Sequence, residues 1–339
     1  MKRKILVTGG AGFIGTNLVA ELLADSDNYV VAYDNLSRSG VENNLQWLKS
    51  LRKKNFAFIR GDLRDYKKLK EVVAGCQQIY HLAAQVAVTS SVLDPVEDFM
   101  VNAAGTLYLL EACRKKSPEA VFIFASTNKV YGELKHLRLK EGKSRYFCLG
   151  NKGISEKENL DFHSPYGCSK GTADQYVRDY YRIYGTKTVV FRQSCIYGPH
   201  QYGNEDQGWV AHFVIRALRG EKIVIYGNGK QVRDLLEVSD LLNAYRLAVD
   251  YISKCAGQIY NIGGGVENTF SLLELIYFLE KELKKKLDYT FSDWRPGDQK
   301  IYVSDNTRLK KDLGWKVRIK QEEGIRKLIH WVKNNPGVK

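Results

Sequence analysis

Residues 4–24, KILVTGGAGFIGTNLVAELLA, constrain the fold more than any other stretch. An apolar run from Ile5 to Val7 ends in TGGAGFIG, and an amphipathic segment follows without a break. Gly9, Gly12 and Gly15 punctuate the junction. A strand that turns straight into a helix leaves free N–H groups and a positive dipole end at the helix start, and missing Cβ atoms let an anion approach the backbone. The alternation then continues. Candidate strands fall at 29–33, 56–60, 78–82, 120–125 and 187–191, with helical spacing at 13–24, 98–113 and 169–184. This pattern predicts an α/β chain: a Rossmann-type doubly wound parallel sheet over 1–191. Beyond 191 turn signals thicken (YGP, YGNGK, GGG, RPGD) and helical segments recur at 208–219, 239–250, 271–285 and 320–334. A smaller mixed α/β C-terminal domain over 192–339 is expected, with segments near 230–260 returning to the first domain. The connection 133–163 is too long for a plain loop.

Bulk properties narrow the function classes. A chain of 339 residues suits about two domains. No stretch reaches the ~20 apolar residues that span a bilayer, so no membrane role is expected. The basic start MKRK precedes a run too short for a secretory signal, which predicts a cytoplasmic protein. The cysteines at 76, 113, 148, 168, 195 and 255 show no CxxC and no histidine at ligand spacing, so reduced thiols and no metal site are expected. The net charge of +14 invites a nucleic-acid reading. But the lysine clusters at 49–54, 65–70 and 280–286 sit on separate elements without interleaved aromatics. No nucleic-acid partner is expected, and a basic field suits a small polyphosphate ligand equally well.

The glycine turn reads as a pyrophosphate cradle, with Phe13 and Ile14 between Gly12 and Gly15. Asp34 ends the second candidate strand, where a carboxylate accepts hydrogen bonds from adenosine ribose hydroxyls and repels a 2′-phosphate. NAD is therefore favoured over NADP, although Arg38 argues the other way. Asn35 and Ser37 share that turn. Asp62 and Leu63 follow the third strand and are placed around the adenine. Leu82, Ala83 and Ala84 follow the fourth, where small residues let a cofactor pass, and Gln85 comes next toward a substrate. Asn102 and Ala125 complete the expected cofactor shell.

The sharpest chemical signal is SPYGCSK, residues 164–170. Tyr166 and Lys170 are four apart and share a helix face. Ser164-Pro165 reads as the cap and first residue of that helix. The dipole end and a nearby ammonium are expected to draw the phenol down from its ordinary ~10. A phenolate there can take a proton from a hydroxyl as hydride leaves the same carbon, and Lys170 can hold the nicotinamide ribose. Thr127, in the Ser126-Thr127 tip of the fifth strand, would bond the reacting oxygen opposite Tyr166.

These residues resemble a known family, the extended short-chain dehydrogenase/reductases that act as NAD-dependent nucleotide-sugar epimerases and dehydratases. The resemblance spans nearly the whole chain and includes GNGKQVRDLLEVSDL (227–241) and RPGD (295–298). It implies tightly bound NAD, a nucleotide-diphospho-sugar substrate, and Arg233 and Arg295 gripping the diphosphate. It also implies a homodimer or homotetramer paired through 93–115 and 164–184. In the family's 4,6-dehydratases an Asp-Glu pair follows the threonine and eliminates water. Here Asn128 and Lys129 stand there, so the resemblance favours oxidation and re-reduction, an isomerase. Together with STNKVYG, DFHSPYGCSKG and GNGKQVRD, Gln207-Gly208-Trp209 is similar to the branch that inverts C2 of CDP-hexoses. Trp209 is read as stacking on a base or a sugar. Many relatives carry Asn where this chain has Cys195 and Arg where it has His200, both near the sugar or phosphate. Two alternatives stay open: a UDP-sugar 4-epimerase with the same residues, and a non-catalytic NAD-binding regulator.

Overall fold

The computed structural model describes residues 2–150, 153–295, 297–335 and 337–338. Asn151 and Lys152 of the long connection, and Pro296 of RPGD, lie outside the described residues. Seven parallel strands form the main sheet. The first five are β1 (Arg3–Thr8), β2 (Asn28–Asp34), β3 (Phe56–Arg60), β4 (Gln78–His81) and β5 (Val121–Thr127). Strands Thr188–Gln193 and Gln258–Ile262 complete it, in the order Gln258–Ile262, Thr188–Gln193, β5, β4, β1, β2, β3. The doubly wound parallel sheet expected from the strand–helix alternation is present.

The strands read as near-continuous apolar runs because both faces are covered. Successive side chains alternate faces. Ile5 and Val7 pack with Leu18, Leu241, Tyr245 and Trp315 on one side, and Leu6 packs with Leu69, Leu109, Ala173 and Val177 on the other. Register holds the strand ends level: Thr8 pairs with Tyr33 and His81, and Thr127 pairs with Gln193. The loops at this carboxyl edge therefore open onto one crevice, the usual ligand side of an open α/β sheet.

The expected helix 98–113 runs from Pro95 to Lys116 with a π-helical turn at Met100–Ala104. Such turns re-aim side chains, and this one carries Asn102. Past 193, helices Trp209–Arg219, Leu272–Leu283 and Gln321–Asn334 share a separate core around Phe213, Leu275 and Ile325. Helix Val238–Asp250 packs instead on the main sheet through Leu241 and Tyr245, as do Leu309 and Trp315. The long connection holds a small hairpin, Leu139–Glu141 with Tyr146–Cys148.

Candidate active site

The glycine turn is bonded to β2. Gly9 N–H donates to the Tyr33 carbonyl at 2.8 Å, and Ala11 N–H donates to Asp34 Oδ2 at 3.1 Å. Gly9 adopts φ +68, and a Cβ there would stand 2.7 Å from the Ala83 nitrogen. A Cβ on Gly15 would stand 2.0 Å from the Gly9 oxygen, so helix and loop touch. Gly12 starts helix Phe13–Leu22 with no side chain capping it, and a Cβ there would approach only the Gly9 carbonyl. This cradle fits a dinucleotide pyrophosphate. Asp34 also accepts from Leu36 N–H at 2.9 Å; burial raises its carboxyl pKa against these bonds. Its remaining lone pairs suit a ribose diol.

The other cofactor residues divide. Asn35 Nδ2 donates to Asp62 Oδ2 at 3.0 Å, and Asn35 Oδ1 accepts from Ser37 N–H at 3.0 Å, so this turn is internally braced. Arg38 is exposed, with its charge within reach of Asp34 and Tyr166. Arg64 grips Asp62 and holds its carboxyl well below the ordinary range. The Leu63 side chain packs into the core, so only its main chain can meet an adenine. Ala83 N–H donates to Thr8 Oγ1 at 3.3 Å, keeping the 82–84 loop against β1. Asn102 Oδ1 accepts from Gln85 N–H at 2.9 Å, and its Nδ2 donates to the Gln85 carbonyl at 3.0 Å. Asn102 is buried and therefore shapes the 82–87 loop, and Gln85 folds back onto Ala87.

Helix Ser164–Tyr184 brings Tyr166 and Lys170 to the tip of β5. Ser164, which precedes Pro165, has φ +77. Its Oγ accepts from Gly167 N–H at 3.2 Å, and so it caps the helix. Tyr166 N–H donates to Ser91 Oγ at 3.1 Å. The phenol hydrogen-bonds with Thr127. Lys170 Nζ donates to the Ala125 carbonyl at 2.7 Å. The three residues thus meet at one strand end.

One electrostatic expectation is corrected. Burial pushes the Tyr166 phenol up to about 12, while the bond to Thr127 and the Arg38 charge pull the other way. Lys170 is itself buried, which lowers its pKa to about 7 despite Asp174 and Asp98 nearby. A positive charge placed in the crevice would favour the phenolate.

Ser126 does not reach the crevice. Its Oγ donates to Asp174 Oδ2 at 2.7 Å. Asp174 accepts both arms of Arg192, at 2.9 and 2.8 Å, and Arg192 Nη1 donates to the Tyr131 hydroxyl at 2.9 Å. This buried network ties helix Ser164–Tyr184 to its neighbouring strands.

Beyond Thr127 lies the region expected to take substrate. Asn128 Nδ2 donates to Gln299 Oε1 at 3.1 Å. Trp209 Nε1 donates to Cys195 Sγ at 3.3 Å, and the partly buried indole packs edge-on with Phe213, which braces the ring. Arg233 Nη2 meets Asp298 Oδ1 at 2.6 Å. The Arg295 carbonyl accepts from Asp298 N–H at 3.2 Å, while its guanidinium stands 3.8 Å from the Tyr226 ring centroid and 3.5 Å from Asp206. The His200 ring sits 4.1 Å from that of Trp47 and near Trp331, and Nδ1 bonds Asn44 at 3.2 Å, so the ring is enclosed by aromatic side chains. Sequence reasoning missed Asp98, buried behind Tyr166 and Lys170, and gave Asp298 no role although it ends RPGD. No group able to hold a metal ion occurs among the described residues, and no helix there is long and apolar enough to cross a membrane.

Comparison with known proteins agrees with this geometry. The model of the GDP-mannose 4,6 dehydratase family matches residues 6–328. The chain is 42% identical over 336 residues to a CDP-paratose 2-epimerase of Salmonella typhi, covering 97% of this chain and 98% of that one. A UDP-glucose 4-epimerase from Thermotoga maritima, solved with UDP-glucose, superposes with a TM-score of 0.83 at 32% identity, covering 98% and 99% of the two chains. A UDP-glucuronic acid 4-epimerase from Bacillus cereus, solved with UDP-glucuronic acid and NAD, gives 0.85 at 29% identity with the same coverage. With the glycine cradle, Asp34 and the Thr127–Tyr166–Lys170 cluster in place, the chain belongs to the GDP-mannose 4,6-dehydratase family of NAD-dependent nucleotide-sugar epimerases and dehydratases.

Proposed function

We propose that this protein is an NAD-dependent epimerase that inverts C2 of a CDP-linked hexose of the paratose–tyvelose type. The observation that carries the reading is the pair Asn128–Lys129 beside Thr127: an amide and an amine stand where dehydration needs two carboxylates. The 42% identity to a CDP-paratose 2-epimerase supports the C2 and CDP assignments.

NAD held in this cradle would supply the hydride acceptor and donor for the sugar carbon. The chain supplies the rest. Gly9, Gly12 and Gly15 seat the pyrophosphate, and Asp34 holds the ribose. Tyr166 removes the C2 hydroxyl proton and later returns it. Thr127 holds the reacting oxygen, and Lys170 fixes the helix and the nicotinamide ribose. Arg233 and Arg295 hold the diphosphate while the 2-keto sugar presents its other face. Water must be excluded for the intermediate to survive.

A second reading, a UDP-sugar 4-epimerase, draws on the likeness to the Thermotoga maritima enzyme. Incubating the NAD-loaded protein with CDP-, UDP-, GDP- and dTDP-hexoses in D2O and following the sugars by NMR separates the two. Inversion at C2 without carbon-bound deuterium is expected. Inversion at C4 selects the second reading, solvent deuterium at C2 refutes the hydride shuttle, and no turnover at all returns the protein to a regulatory role.

We further propose pairing of two or four copies through helices Val88–Leu93, Pro95–Phe99 and Ser164–Tyr184. Their outer faces expose the large apolar side chains Leu93, Val96, Phe99 and Ile183.

A further inference from the structure

The charges around Asp298 do not balance. Arg233 Nη2 stands 2.6 Å from Asp298 Oδ1, and Lys129 Nζ stands 3.6 Å from the same oxygen. Two cations share one carboxylate in a partly buried place. Among the described residues the other acceptors near Lys129 are neutral. One is the Gly297 carbonyl at 3.2 Å, and another is the Cys195 thiol, whose pKa burial raises so that it stays protonated. Asp234, the chain neighbour of Arg233, is engaged elsewhere, accepting from Gly265 and Ser304 N–H groups, each at 3.0 Å. An excess positive charge drawn out of water calls for an anion.

The position of that excess is informative. The backbone N–H of Lys129 donates to Thr127 Oγ1 at 3.2 Å, so the residue that carries one of the two cations stands next to the reacting centre in the chain. In a diphospho-sugar the phosphate hangs on the oxygen of C1. Presenting C2 to Tyr166 draws that phosphate close to Thr127, whereas presenting C4 sends it across the ring. A lysine beside Thr127 that shares a carboxylate with Arg233 suits the first arrangement.

We propose that Lys129 joins Arg233 in clamping the sugar-proximal phosphate of the nucleotide diphospho-sugar, with Asp298 as the counterion both cations hold until it arrives, and that this clamp directs the reaction to C2. The inference rests on the nucleotide-sugar reading given above. The test is calorimetric binding of CDP, UDP, CMP and UMP to the NAD-loaded wild type, K129M and K129R, with sugar turnover followed in parallel. CDP and UDP carry the sugar-proximal phosphate, and the monophosphates lack it. K129M is expected to weaken CDP and UDP by roughly ten- to hundredfold while leaving CMP and UMP unchanged. K129R is expected to bind like wild type, which also shows that the site folds with a charge there. Unchanged CDP affinity in K129M, a K129R as weak as K129M, or a wild type that binds CMP as tightly as CDP each overturns the clamp. If CDP binding depends on Lys129 but no sugar is turned over, the activity reading and the direction to C2 fall together and only the phosphate clamp stands. If C2 turnover persists with CDP affinity intact in K129M, the reverse holds.

Discussion

Lys170 is bonded to the carbonyl of Ala125 at 2.7 Å, two residues before Thr127 and one helical turn after Tyr166. Its Nζ also lies 4.3 Å from the Phe124 ring centroid. One side chain thus sets the distance between helix Ser164–Tyr184 and the tip of β5, and with it the meeting of Tyr166 with Thr127. The same burial that makes the tie rigid draws the ammonium out of water.

That burial has a pH signature. Lys170 has a pKa of about 7 in the fold against an ordinary 10.5. Between these values the unfolded chain binds more protons, so this group makes stability rise as pH increases from about 7 to 10.5. Urea unfolding of wild type and K170M across that range should show a shallower slope for the variant. An identical slope would mean the ammonium is not buried in solution.

Tyr166→Phe removes the proton acceptor and leaves the ring. We expect kcat to fall by about 10²–10⁴-fold with bound NAD unchanged, read by turnover and by cofactor absorbance. Activity near the wild-type level would remove Tyr166 from its role.

Arg192→Met strands Asp174, which is fully buried and keeps only the Ser126 hydroxyl and its helix neighbours. Leaving a buried carboxylate unpaired should destabilise the fold by about 3–5 kcal/mol, measured by denaturant midpoint. The residual folded fraction should lose activity as well, because Asp174 aligns the tyrosine helix with β5.

His200 sits between Trp47 and Trp331, and burial lowers its pKa to about 4 from 6.5. Wild-type stability should therefore decline as pH drops from 6.5 to 4, when the unfolded imidazole gains a proton and the folded one resists. H200F should lack that component in acid melts, and an equal acid sensitivity would contradict the buried neutral ring.

Leu93 is 87% exposed and Val96 70%. If the helical face they occupy is the pairing surface, a Leu93→Asp, Val96→Asp variant should elute as a monomer by light scattering while keeping its melting point. A wild type that is already monomeric at micromolar concentration would end that proposal.

Much of this was legible from the chain alone. Local chemistry writes itself into short stretches: TGGAGFIG needs no partner to declare a strand–turn–helix, and Tyr166 with Lys170 declares a shared face by spacing. The sheet followed because both faces of apolar strands must be covered by the helices between them. The tertiary structure decided what depends on residues distant in sequence. Ser126 and Thr127 are neighbours of similar chemistry, yet Asp174, 48 positions on, claims one and Tyr166 the other. Lys129 and Arg233 became a pair only when Asp298 was brought between them, and the His200 ring is enclosed by two tryptophans from far parts of the chain. The phenol's pKa also turned on burial, which is a property of packing: no spacing in a sequence reports how much water a side chain will lose.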